Sequence, residues 1–166
     1  GTTMPAALYI AYNGVEPTTA ARVAVATGTA IKTLQQVATP STKGITIIEW
    51  GISFDGFAAA LPGKVELIQT DVAATSGTSV TPTVYGCNTD ASLCVGGTGA
   101  TNHSPSAEGT ITVVRSFDTQ FISPTNQYVH QFPLGREPFV PASKFLRVRV
   151  TFGTTVNAYS YIVWEE

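Results

Sequence analysis

Hydrophobic and polar residues alternate along most of this chain, and a period of two predicts strands rather than helices. In "KGITIIEWGISFDG", Ile45, Ile47, Glu49, Gly51 and Ser53 fall on one face and Thr46, Ile48, Trp50, Ile52 and Phe54 on the other. The second set carries more large apolar side chains and is the expected core face; Asp55-Gly56 then supplies a turn. The same alternation marks "ALYIAY", "GKVELIQTDV" (opened by Pro62-Gly63), "GTITVVRSF", "NQYVHQF", "KFLRVRVTF" and "NAYSYIVWEE". About seven to nine short strands divided by Gly, Pro and Asn turns predict an all-β fold. The expected architecture is a jelly-roll-like antiparallel β-sandwich, a single domain over residues 1–166.

Two stretches depart from the pattern. "EPTTAARVAVATGTAIKTLQQVATP" places Pro17 at a possible helix start and Ile31, Leu34 and Val37 at helical spacing. The many β-branched residues, the alternation of Val23 with Val25, and Gly28 favour two strands broken near Gly28 instead. From Ala73 to Gly109 the chain turns small, polar and Gly-rich. Residues 73–109 form either one long Gly/Thr/Ser-rich excursion or short edge strands joined by loops, around "SVTPTVYG". A structureless loop of that length is unusual in a domain, so the segment is expected to carry function, dock on a neighbour or hide weak strands.

Composition narrows the function classes. The 166 residues suffice for a proper core, and 43% are hydrophobic, which excludes disorder. Only 12% are charged, about half the usual ~25%. A net charge of −2 with nine Lys and Arg excludes a nucleic-acid binder. The surface is therefore expected to be Thr, Ser, Asn, Gln and Gly, as suits a subunit packed among neighbours or a secreted module. No run approaches the ~18 apolar residues of a membrane span, so no membrane partner is expected. "GTTMPAALYIAYNG" lacks the basic head and apolar middle of a signal peptide. Either Met4 is the natural start and "GTT" a leftover, or an earlier segment was removed; the sequence leaves both open.

No stretch announces a chemistry. In "CNTDASLC", Cys87 and Cys94 fit neither a zinc ribbon nor a thioredoxin-like pair; they can close a surface loop as a local disulfide or remain two thiols. A zinc site would have to gather Cys87, Cys94 and His103 from one loop, and His130 lies far away in a strand. "VGGTGA" lacks the Lys-Ser/Thr of a phosphate loop and reads as a flexible turn cluster. "NTDAS" lacks the ligand array of a calcium loop. A carboxylate pair could draw on Glu49, Asp55 or Glu66, but Glu66 alternates with Val65 and Leu67 and is expected in solvent; no GxSxG elbow occurs. A non-enzymatic protein without cofactor or metal is expected.

In "KFLRVRVTF", Leu146, Val148, Val150 and Phe152 form the core face, and Phe145, Arg147, Arg149 and Thr151 the other. Cross-strand pairing with Glu66 or Glu49 explains the arginines, so they are expected on the solvated side of a sheet. The segment "QFISPTNQYVHQFPLGREPFVPASKF" is richer in large apolar residues than a solvated connection needs. Residues 121–143 are therefore either a lid over the end of their own sandwich or an arm that docks on another subunit. In the second case Phe132, Leu134 and Phe139 are the anchors, with Phe121, Tyr128 and Arg136 beside them.

At "IEWGISFDG", "PTNQYVHQFPLGRE", "SKFLRVRVT" and "NAYSYIVWEE" the chain resembles small virion-associated structural proteins of tailed bacteriophages. The resemblance covers most of the length and is weakest between Ser76 and Thr101. It brings no catalytic motif. It implies a head or tail component, such as a decoration protein bound to the capsid exterior; the leading expectation is a symmetric homo-oligomer, most simply a trimer, bound to a major capsid or other virion protein. Such a protein is part of the virion, assembled in the host cytoplasm. The alternative is a carbohydrate- or receptor-binding β-sandwich of a phage tail or secreted protein. Its contacts would be Tyr85, Asn88, Asp90 and Asn102.

Overall fold

Alternating segments of this chain pair into two antiparallel sheets packed face to face. The computed structural model describes residues 7–55, 61–86, 89–99 and 105–166. In chain order come β1 (Leu8–Tyr12), β2 (Val25–Ala26), β3 (Lys32–Ala38), β4 (Ile45–Asp55), β5 (Gly63–Thr70), β6 (Ser79–Val80) and β7 (Thr83–Val84). Next are β8 (Val95–Thr98), the helical turn α1 (Pro105–Glu108), β9 (Val114–Ile122), β10 (Tyr128–Gln131), β11 (Phe139–Val140), β12 (Phe145–Thr151) and β13 (Asn157–Glu165). The first sheet runs β10-β4-β13-β1-β7, with β11 also on β4 and β2 on β13; the second runs β6-β8-β3-β12-β5-β9.

Trp50, Ile52, Ile162 and Trp164 of the first sheet share one core with Leu34, Leu67, Leu146 and Val148 of the second. Each such side chain contributes about 1.5–3 kcal/mol on burial. A polar link crosses this core. The Gln35 amide donates to the Ala11 carbonyl at 2.6 Å and accepts from the Ser160 hydroxyl at 2.8 Å, joining β3 to β1 and β13. Asn13 extends β1, donating to Ala158 O and accepting from Ser160 N. The stretch with helical spacing forms no helix: Val25–Ala26 and Lys32–Ala38 are strands separated near Gly28, whose φ of 65° suits glycine, and the rest ahead of β3 is irregular.

Three expectations are corrected. Ile45 and Ile47 are buried at the start of β4, whereas Trp50 and Ile52 are buried further on. Glu49 lies opposite Val163 and Ile47 opposite Trp164, so Ile48 is an extra residue that exchanges the two faces. The turn cluster "VGGT" is strand β8, paired with β3 and β6. A Cβ on Gly96 would stand 2.6 Å from the Val80 carbonyl oxygen, so its glycine serves close backbone approach rather than flexibility. The described parts of 73–109 thus hold short strands, β6 and β7 at sheet edges and β8 between two neighbours, and one helical turn.

The third correction concerns the arginines, which do not lie on a solvated face. Arg147 is 0% exposed. Residues 71–77 and 105–109 lie over this side of the second sheet: Ala74 N ties the first segment to β3 by donating to Gln36 Oε1 at 2.8 Å, and Thr75 N ties the two segments together by donating to Ala107 O at 2.7 Å. The Arg147 guanidinium donates to the backbone oxygens of Glu108 (3.0 Å) and Val72, and stands 3.5 Å from the Glu108 carboxylate. Glu108 also accepts from Thr33 N at 3.0 Å and Thr33 Oγ1 at 2.7 Å. Burial pushes the guanidinium down to about 10, with Glu108 opposing the shift, so it stays charged at neutral pH. Glu66 is buried too, directly opposite Arg149 and 2.8 Å from it, with Lys64 at 3.3 Å. Glu49 belongs to the other sheet.

Replacing Arg147 with Met is expected to cost ~3–5 kcal/mol in urea unfolding, because Glu108 would keep a buried charge without its partner. Arg149→Gln is expected to cost less, since Lys64 still faces Glu66. Equal losses for the two variants would show that the cover does not seal Arg147.

Candidate functional site

The 121–143 segment lies along one edge of the sandwich. β9 is the last strand of the second sheet, while β10 and β11 run one after the other along the free side of β4. The side chains proposed as anchors separate into two groups. Tyr128 and Phe132 fold back onto their own core. The Tyr128 ring meets Trp50 edge-on at 5.5 Å, and Phe132 meets the His130 ring at 4.7 Å. Phe121, Leu134 and Phe139 face outward, at 73%, 98% and 54% exposure. Val129 of β10 is exposed as well.

Leu134 stands out because its turn is built to hold it there. Gly135 has φ 85° and donates its N–H to the Glu137 carboxylate, and Arg136 N donates to Pro133 O at 2.9 Å. Arg136 is exposed at the end of the same turn. Next to the projecting leucine is a hollow of about 360 Å³ lined by Ile48, Gln131, Phe132, Pro133, Leu134 and Glu137. Knob and hollow are adjacent on one edge.

One residue that sequence reasoning passed over closes this edge. Asp118 of β9 accepts from Trp50 Nε1 at 3.1 Å and from the Tyr128 hydroxyl at 2.7 Å, tying the last strand of one sheet to the other. Its signal in sequence was slight: a single acid in the strand "VRSFDTQFI". Burial first, and then Asp118, pushes the Tyr128 hydroxyl up to about 12.

The remaining candidates do not converge. Glu49 accepts from the Tyr161 hydroxyl at 2.6 Å on the outer face of the first sheet, whereas Glu66 is paired on the second; Asp55 is exposed at the end of β4. His130 is a strand histidine stacked on Tyr128. Cys94 is buried at the entry to β8, its N–H bonded to Ser92 Oγ at 3.0 Å, and burial pushes its thiol well above the ordinary range. Its proposed partner Cys87, together with Asn88, Asn102 and His103, lies outside the described residues. Tyr85 is exposed after β7, and the Asp90 carbonyl accepts from the Tyr9 hydroxyl. Among the described residues no three His, Cys, Asp or Glu side chains gather as a metal site would require. Comparison with protein-family models, with curated proteins and with solved structures gave no significant match.

Replacing Asp118 with Asn is expected to lower stability by ~1–3 kcal/mol in thermal or urea unfolding. In the same variant Tyr128 should titrate at lower pH than in the parent, because a negative charge beside its hydroxyl is gone. Ultraviolet absorbance on alkaline titration reads this, and an unmoved titration would show that Asp118 does not bear on Tyr128.

Proposed function

We propose that this chain is a non-enzymatic virion structural protein that decorates and stabilises a tailed-phage capsid as a symmetric oligomer. The observation that supports this reading best is the outward leucine at 98% exposure beside a 360 Å³ hollow, on an edge that also presents Phe121 and Phe139. A fully exposed leucine gains nothing for its own fold, while a knob next to a hole is what repeated copies can interlock through. In this reading the sandwich is of the jelly-roll type, the ring is most simply a trimer, and the capsid protein is the second partner. The low charge fits an assembly held by neutral contacts, which salt does not screen. No cofactor, nucleic acid or membrane enters the scheme.

Light scattering on the purified protein should find an oligomer, and sedimentation should find it on empty capsids. Leu134→Ala and Phe139→Ala are each expected to weaken assembly by ~1–3 kcal/mol while the subunit's own melting is unchanged. Phe132→Ala should instead lower melting, since Phe132 lies against its own core. A protein that stays monomeric at every concentration and ignores capsids would overturn the proposal.

A further inference from the structure

The outer face of the first sheet is not a plain solvated surface. Four of the six tyrosines in the chain belong to it or border it: Tyr12, Tyr85, Tyr159 and Tyr161. Tyr12 of β1 and Tyr161 of β13 are direct cross-strand partners, with ring centroids 6.4 Å apart. Opposite Tyr161 on β4 is Gly51, and a Cβ there would stand 2.5 Å from the Tyr161 ring. Glycine thus lets the ring lie down on the backbone and form a floor. The Tyr161 hydroxyl is fixed by its 2.6 Å bond to Glu49.

A wall rises from the loop between β1 and β2. The Arg22 guanidinium sits 5.4 Å from the Tyr12 ring centre and 4.7 Å from that of Tyr159. It is held by Glu16 at 2.6 Å and donates to Asn13 Oδ1. Tyr12, Arg22, Ser53, Gln127, Tyr159 and Tyr161 border a cleft of about 190 Å³. Floor and wall are fixed by internal bonds before any ligand arrives, so little ordering cost remains for binding.

The lining selects a ligand class. Aromatic faces offer flat apolar contact with a polar tip, and Ser53 and Gln127 add neutral donors and acceptors. Among the described residues Arg22 is the one charged residue in the lining, and Glu16 already compensates it. That disfavours a phosphate, a sulfate or a carboxylate. A protein partner needs ~800 Å² on each side, far more than a cleft of this size presents. We propose that this cleft binds a neutral saccharide. One sugar ring lies against Tyr161, beside the Arg22 guanidinium that spans Tyr12 and Tyr159, with its hydroxyls bonded to Gln127 and Ser53. These are not the residues that a sugar site in the 73–109 segment would use, and the site is separate from the leucine edge.

The test is a titration of the intact protein with glucose, galactose, mannose, N-acetylglucosamine and their disaccharides, monitored by NMR on labelled tyrosine rings and glutamine side chains. A sulfated and a sialylated sugar serve as charged controls. At least one neutral sugar is expected to shift Tyr12, Tyr159, Tyr161 and Gln127 saturably. Tyr161→Ala should weaken that binding about tenfold or more. Gln127→Ala, at an exposed turn position that folding does not need, should weaken it roughly threefold to tenfold with melting unchanged. Leu134→Ala should bind as the parent does, which separates this site from the assembly surface. The proposal is overturned if no neutral sugar gives saturable shifts, if only the charged sugars do, or if binding survives intact in both cleft variants.

Discussion

Arg147 has no route to water, and much of the architecture is a consequence. A guanidinium placed on the outer face of β12 must find acceptors within the protein, because an unpaired buried charge costs more than a domain of this size can tolerate. The acceptors come from the chain just after β5 and from α1: the Val72 and Glu108 carbonyls and the Glu108 carboxylate. The middle of the second sheet, along β3, β12 and β5, is therefore largely buried on both faces, by the first sheet on one side and by these segments on the other. Ile68, opposite Arg147 on β5, is fully buried outside the main core for the same reason.

That constraint leaves two kinds of open surface for function. One is the edge formed by β9, β10 and β11, apolar and shaped as projection and hollow. The other is the outer face of the first sheet, aromatic and close to neutral. They meet where the turn between β9 and β10 places Gln127 in the cleft and Tyr128 in the edge. The two surfaces differ in physics. The edge exposes side chains that gain by leaving water, whereas the cleft holds rings already fixed by a glycine floor and an arginine stack.

The strands were legible because a period of two marks them, a rule plainest in β12, where the core residues Leu146, Val148 and Val150 alternate with Arg147 and Arg149. The rule fails where geometry is set by something other than polarity. A single extra residue at Ile48 reverses the faces of β4 without any mark in composition. In β8 two glycines carry no side chain to alternate, and their role emerges only from the backbone that lies against them. The arginines of β12 looked solvated because the segment covering Arg147 offers mainly backbone oxygens, and a polar Gly-rich stretch gives no sign of being a cover. In the candidate sites, the apolar excess of 121–143 was visible, but not which side chains turn inward. The tyrosine cleft depends on cross-strand neighbours from opposite ends of the chain (Tyr12 and Tyr161), which no local pattern reports.

The way this edge can meet a partner is also restricted. β9 is a nine-residue strand with one free side, the kind of edge that recruits foreign strands. Two features blunt it. Phe117 is an extra residue between the positions opposite Leu67 and Ile68, so the free hydrogen-bonding side is broken by a bulge. The next residue, Asp118, turns its charge inward to Trp50 and Tyr128, and a strand slipping into register would have to desolvate or displace it. Continuous β-addition along β9 is thereby disfavoured. A partner that meets this edge must do so through side chains, and the largest apolar ones on offer are Phe121 at one end and Leu134 and Phe139 toward the other.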